Sequence, residues 1–145
     1  MVDHEDLAAL ARASAAEMWS EDRAAQGLGF SVTDVAPGAA TVSMLVRDDM
    51  VNGHGVCHGG FIFTLADAAF SYACNTHGSK AVAAGADIVF VTAARLGDRL
   101  TATGRETLLY GRSGICDVVV TDQDGATVAH FRGRSRTVGA DAPGP

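Results

Sequence analysis

Basic residues are in short supply in this chain, with 11 Lys and Arg against 17 Asp and Glu, a formal charge of −6 and a pI near 5.1. A general nucleic-acid surface needs an excess of cations and is not expected, although a local cationic patch could hold a phosphorylated small molecule. Long apolar runs are also missing, each falling well short of the roughly 20 residues a membrane helix needs. Cysteine is sparse and odd in number: Cys57, Cys74 and Cys116 are widely spaced. The opening Met1-Val-Asp-His-Glu-Asp6 lacks the basic and apolar regions of a secretory signal. These absences lead to the expectation of a soluble cytoplasmic protein, with no membrane association, no nucleic-acid partner and no disulfide. Internal repeats and low-complexity segments are absent too.

With 145 residues and 48% hydrophobic content, the chain fits one compact domain with a real core. The expected boundary is 1–138, and Gly139-Ala-Asp-Ala-Pro-Gly-Pro145 has the composition of a frayed tail. One further scarcity is local. Between Asp49 and Lys80 the only fixed charge is Asp67, inside the apolar run Phe61-Ile-Phe-Thr-Leu-Ala-Asp-Ala-Ala-Phe70. An ionised carboxylate in dry surroundings is costly unless paired or hydrogen-bonded, so this placement points to chemistry.

Residues from Glu5 to about Ala25 are rich in Ala, Glu, Arg and Met, and they place Leu7, Leu10, Ala11, Ser14 and Met18 on one stripe of a lead helix. Gly27-Leu-Gly29 ends it. Phe30 to Val35 and Thr41 to Val46 alternate apolar with polar residues around Pro37-Gly38, which reads as a β-hairpin. A second helix, from Gly59 to about Asn75, is apolar around most of its circumference and must be buried on several sides. Strand signals follow at Ala81–Ala94, Arg99–Leu109, Ser113–Thr121 and Thr127–Val138, separated by turn residues, and antiparallel neighbours are expected. The sum is an α+β fold in which a curved antiparallel sheet wraps a single central helix.

Asn52-Gly-His54, His58-Gly-Gly60 and Phe63-Thr-Leu-Ala-Asp67 resemble the signature of hotdog-fold acyl-CoA thioesterases of the PaaI, phenylacetyl-CoA thioesterase-like, type. The likeness runs from the lead helix through Phe131-Arg-Gly-Arg-Ser-Arg136 and is densest from Asn52 to Asn75. What the resemblance implies is a hydrolase that cleaves the thioester of an acyl-coenzyme A and belongs to phenylacetate degradation. It also implies a dimer with two-fold related sites that assembles further into a homotetramer. It places Asn52 and His58 near the thioester carbonyl or the loop shaping its pocket, and Gly111-Arg-Ser-Gly114 (Arg112, Ser113, Gly114) near the pantetheine or nucleotide. Some relatives carry Glu at the position of Asp67 and Thr at that of Ser71.

The residues themselves reach a compatible site. Asp67 lies eight positions after Gly59, about 12 Å along a helix, so neither can touch the same carbonyl within one chain. The amides of Gly59 and Gly60 are unpaired donors at a positive helix end, suited to the oxygen of a polarised thioester. Two such helices packed antiparallel across a two-fold axis would bring each Asp67 beside the partner's glycines, making the dimer a condition of catalysis. Asp67 would then act as general base on water or as nucleophile forming a mixed anhydride, with Ser71 one turn on to orient the water.

Arg105, Arg112, Arg132, Arg134 and Arg136 are the cations available for the phosphates of coenzyme A, and alternation puts the last three on one strand face. Phe61, Phe63, Phe70, Tyr72 and Phe90 are candidates for the acyl tunnel, a hint of an aryl group that medium-chain acyl groups would also satisfy. His54, Cys57 and His58 fall short of a zinc pattern, so no metal is expected. No cofactor is expected either, since coenzyme A is part of the substrate. Two other readings stay open: a hotdog-type enoyl-CoA hydratase, against which the single carboxylate counts, and a non-catalytic acyl-CoA-binding protein.

Overall fold

The computed structural model describes residues 2–139. Most of the tail expected at 139–145 thus lies outside the described residues. The N-terminal segment forms two helices, α1 (His4–Glu21) and α2 (Arg23–Gly27), rather than the single lead helix the composition suggests. The break falls at Asp22, whose backbone leaves helical values (φ −84°, ψ 78°) and whose side chain accepts the amide of Ala25. Asp is a weak helix former because its carboxylate bonds nearby amides, and at this point capping wins over continuation. The expected stripe on α1 is corrected at its start only, since Ala11 is buried and Ser14 and Met18 are half-buried as expected. Ala11 and Ala15 face the core, while Leu7 and Leu10 are left largely exposed. Small side chains let the helix lie close to the sheet.

The hairpin is β1 (Ser31–Ala36) and β2 (Ala39–Leu45), and the central helix α3 spans Gly59–Cys74. The remaining strands are β3 (Ala81–Phe90), β4 (Arg99–Tyr110), β5 (Ser113–Thr121) and β6 (Thr127–Thr137). All six form one antiparallel sheet in the order β1-β2-β4-β5-β6-β3. α3 carries the chain across the sheet, so β3 joins the far edge beside β6 instead of lying next to β4. Irregular register in β1, β3 and β4 bends these strands around the helix. β3 stops at Phe90, four residues before the expected end, because the amides of Val91 and Thr92 both turn onto the carbonyl of Val128.

Eight residues of α3 are buried, including Leu65, Phe70 and Tyr72. They pack on inward side chains such as Val42, Leu100, Val118 and Phe131. Burying each large apolar side chain is worth about 1.5–3 kcal/mol. Two glycines bring helix and sheet together. A β-carbon at Gly133 would stand 2.7 Å from the ring of Phe70, and one at Gly104 would stand 3.0 Å from the carbonyl oxygen of Ala69. The rings of Phe63 and Phe131 meet edge to face at 5.2 Å. Phe70 and Tyr72, expected as tunnel walls, are core residues here, 1% exposed each. Among the described residues, no helix is long and apolar enough to cross a membrane.

Candidate active site

The loop before α3 is organised by Asn52. Its side-chain oxygen accepts the amides of His54 (2.9 Å) and Val56 (3.1 Å), and its own amide donates to the carbonyl of Val56 at 2.9 Å. Next, Cys57 donates its amide to Ala94 and His58 donates its amide to Met50, which fixes how the chain enters the helix. His58 is the N-cap residue, yet its imidazole makes no capping bond and is exposed. Its carbonyl accepts the amide of Phe61 at 3.1 Å. The amides of Gly59 and Gly60 come before the first intrahelical donors and have no intrahelical acceptor, as at any helix start. Phe90, at the end of β3, lies over Gly59, so that a β-carbon there would meet the ring's Cζ at 2.7 Å. Phe61, two residues after Gly59, is half-buried, and Phe90 is 52% exposed.

α3 is covered on all sides except one. Gly60, Thr64, Asp67 with its neighbour Ala68, Ser71 and Asn75, recurring every three or four positions, form its accessible stripe. Thr64 turns its hydroxyl back to the carbonyl of Gly60 at 2.8 Å, and Asn75 bonds Ser71 and Ala81. Asp67 is half-buried, and no donor among the described residues reaches its carboxylate. Burial raises its pKa above the ordinary carboxylate value, and the negative charge of Asp22 raises it further. Both effects disfavour the anion and make it a better proton acceptor. Ser71 follows on the same stripe and lines a groove of about 620 Å³ between α1, α3 and β3.

The expected substrate-binding cations lie elsewhere. Arg112 and Ser113 line a hollow of about 310 Å³ with Tyr110 and Arg136 at the β4–β5 turn. Gly114 is buried, with the hydroxyl of Ser135 so close that a β-carbon would stand 2.7 Å away, so it serves packing. Arg132, Arg134 and Arg136 are exposed on one face of β6, as alternation predicts. Arg132 is taken up by a two-pronged pair with Asp117 (2.7 and 2.9 Å), and Arg134 approaches Asp87 at 3.7 Å. His54 and His58 are exposed while Cys57 is buried. Among the described residues, no three His, Cys, Asp or Glu side chains are grouped to hold a metal.

The sequence profile of the thioesterase superfamily matches residues 54–129, which include the loop from His54 on, the helix and the edge strand just described. The chain belongs to the thioesterase superfamily. Within it, the acyl-coenzyme A thioesterase PaaI of Escherichia coli K12 is 41% identical over 127 residues, covering 88% of this chain and 91% of that one. The solved structure of E. coli PaaI, from the phenylacetic acid degradation operon, superposes with a TM-score of 0.90 over 92% of this chain and 96% of that one. The phenylacetic acid degradation protein PaaI from Thermus thermophilus, solved as a point mutant, is 37% identical, with a TM-score of 0.77 and coverage of 81% and 100%. A Streptococcus mutans UA159 protein solved with acetyl CoA is 30% identical, with a TM-score of 0.73 and coverage of 76% and 89%.

For this thioesterase, sequence reasoning brought Asp67, Ser71, Gly59 and Gly60 onto one helix, where the structure has them. It missed Asp22 and the tie between Asp22 and Tyr72, whose hydroxyl donates to Asp22 at 3.1 Å. A signal was available: an Asp in a run of strong helix formers, three residues before the amide it caps.

Proposed function

We propose that the protein hydrolyses the thioester of an acyl-coenzyme A to the free acid and coenzyme A, with aryl acyl groups such as phenylacetyl or a hydroxylated derivative preferred over medium-chain ones. One observation carries this reading: a half-buried Asp67 that no donor among the described residues reaches shares the open stripe of α3 with the amides of the same helix's start, too distant to serve one carbonyl in a single chain. A second copy of α3 packed antiparallel completes the site. In it, Asp67 of one subunit takes a proton from water, the hydroxyl oxygen bonds the carbonyl carbon, and the developing oxyanion accepts from the amides of Gly59 and Gly60 on the other. The carbon–sulfur bond then breaks, and coenzyme A leaves as a thiolate needing little acid assistance.

The surface supports such pairing. β3 is a sheet edge with no second neighbour among the described residues, and its last residues Val89 and Phe90, with Val91 just beyond, are 62%, 52% and 56% exposed. A long apolar edge of this kind is a template for another chain. By the family likeness the dimers pair again into a tetramer. Arg112, Ser113 and Arg136 in their hollow, and Arg134 on the same face of β6, suit the phosphates of coenzyme A. Phe61 and Phe90 flank the start of α3 and suit an aryl group, in keeping with the operon of the E. coli relative. His58 and Asn52 shape the approach to the amides, and Ser71 orients the water.

A thiol-release assay over phenylacetyl, hydroxyphenylacetyl, straight-chain and crotonyl esters of coenzyme A tests the reading. The expected result is fastest release from the aryl esters. Loss of enoyl absorbance without free thiol would make the protein a hydratase, and saturable binding without release from any ester would make it a binding protein.

A further inference from the structure

We propose that Lys80 is a self-acylation site, whose amine takes the acyl group from a bound acyl-coenzyme A lying in the groove past Ser71. This rests on the reading above that an acyl-coenzyme A occupies the open face of α3. Lys80 is the only lysine among the 11 Lys and Arg residues of the chain. Arginine keeps its proton in proteins and is no nucleophile, so every basic side chain but this one is inert toward a thioester. The groove sets that amine beside the site. About 620 Å³ in volume, it is lined by Ser71, Asn75 and Lys80 together. Asn75 joins the other two: its side-chain amide donates to the carbonyls of Ser71 (2.9 Å) and Ala81 (3.1 Å), and its side-chain oxygen accepts the amide of Ala81 at 2.9 Å. Lys80 directly precedes Ala81, and its own carbonyl accepts the amide of Val138 at 2.8 Å, so its backbone is held on both sides. Its side chain is exposed, and among the described residues no carboxylate pairs with it.

Asp67, Ser71 and Asn75 follow one another by a helical turn each, which puts Asn75 about 12 Å beyond Asp67. An ester in the hydrolytic pose has its carbonyl at Asp67. Drawn deeper, past Ser71, the same carbonyl leaves the base and comes beside Lys80. A groove of this size accommodates such a ligand, and the pantetheine arm is uncharged, so Glu17 and Glu21 on the α1 wall do not oppose it. Holding the thioester beside the amine turns a slow bimolecular reaction into an effectively unimolecular one. Lys80 first releases its ammonium proton to water. Its nitrogen then bonds the carbonyl carbon, the carbon–sulfur bond breaks, and a proton from the nitrogen passes to the departing thiolate, leaving an amide and coenzyme A. The amide cancels the positive charge and keeps the acyl group beside Ser71, so the modified protein is expected to turn over about threefold to tenfold more slowly.

The test uses full-length Asp67→Asn, which spares the ester from hydrolysis, and wild type with the ester replenished, which serves if the variant does not fold. Each is incubated with phenylacetyl-coenzyme A and followed by intact mass and peptide mapping, alongside Lys80→Arg in both backgrounds. The expected result is one phenylacetyl group per chain, mapped to Lys80, forming at a rate that saturates with ester concentration and falls when desulfo-coenzyme A competes. Hydrolysis by wild type should slow as the adduct builds up, while Lys80→Arg exposed for the same time keeps its starting rate. No adduct at Lys80 would overturn the proposal, as would one that forms in simple proportion to ester concentration and ignores the competitor. Unchanged hydrolysis by fully acylated protein would place the amide outside the site and overturn it too. A wild type that forms the Lys80 adduct but hydrolyses no ester would sink the thioesterase reading alone, and one that hydrolyses ester while Lys80 stays unmodified would sink self-acylation alone.

Discussion

The ring of Phe90 rests on the α-carbon of Gly59, close enough that a methyl group at position 59 would overlap Cζ. Because Phe90 is half exposed, that ring can swing away, so Gly59→Ala is expected to fold with little loss of stability. The methyl would still project where the ring now sits, beside the amides assigned to the oxyanion. A displacement of about 1 Å in such a site costs up to roughly a hundredfold in rate. Gly59→Ala should therefore lower kcat/KM about tenfold to a hundredfold at nearly unchanged melting temperature. A variant as active as wild type would remove the helix start from the site.

Gly133 meets the same kind of ring with the opposite consequence. Its neighbour Phe70 is 1% exposed and packed against Phe131, so it has nowhere to go. Gly133→Ala overpacks the core and should cost about 1–3 kcal/mol in urea unfolding. At a temperature where the variant is folded, its kcat should stay near that of wild type.

Asp67→Asn keeps the shape of the side chain and removes the proton acceptor. Turnover is expected to fall about 10²- to 10⁴-fold, with KM changed far less. Single-turnover hydrolysis in 18O water adds a second reading in the wild type: label appearing in the Asp67 carboxylate would mark an anhydride route in which water attacks the Asp67 carbonyl. Near-normal turnover in folded Asp67→Asn would take the carboxylate out of the chemistry.

Much of this was legible in the chain because the signals were local. A single Asp in an apolar run, two glycines after a histidine, and period-2 alternation in the strands each follow from the backbone geometry of a few residues. What the sequence did not disclose depends on contacts between distant segments. The break of the lead helix at Asp22 follows local capping rules, but its tie to Tyr72 spans 50 residues. That β3 lies beside β6 is set by the path of α3 over the sheet, and a strand pattern does not say which edge it joins. Phe70 and Phe90 have the same composition signal, yet one fills the core and the other lies open over Gly59, a difference that only packing decides.

His77, just past the end of α3, pairs with Glu106 on β4, whose side chain is 8% exposed. The hydrogen bond to Glu106 raises the His77 pKa above its ordinary 6.5 despite the opposing effect of burial. A raised folded-state value means that the protonated pair stabilises the fold in full below 6.5 and that this stability is lost as pH climbs through the raised value. Melting temperature should thus drop over that window in the wild type and vary less in His77→Gln. Parallel curves for the two proteins would show that the pair carries no pH-dependent stability.

Complementation between two dead variants tests whether each site is shared. In a homodimer of Asp67→Asn, both sites lack the base. In a homodimer of a Gly59 variant bulky enough to abolish activity, such as Gly59→Val, both lack a usable helix start. If a site takes Asp67 from one subunit and Gly59 from the other, a mixed dimer collects both lesions in one site and leaves the second intact. Unfolding and refolding the two proteins together in equal amounts makes about half of the dimers mixed, each with one good site, so about a quarter of wild-type activity should return. Were Asp67 and Gly59 of one subunit to act together, every site would keep one lesion and refolded mixtures would stay as inactive as their parents.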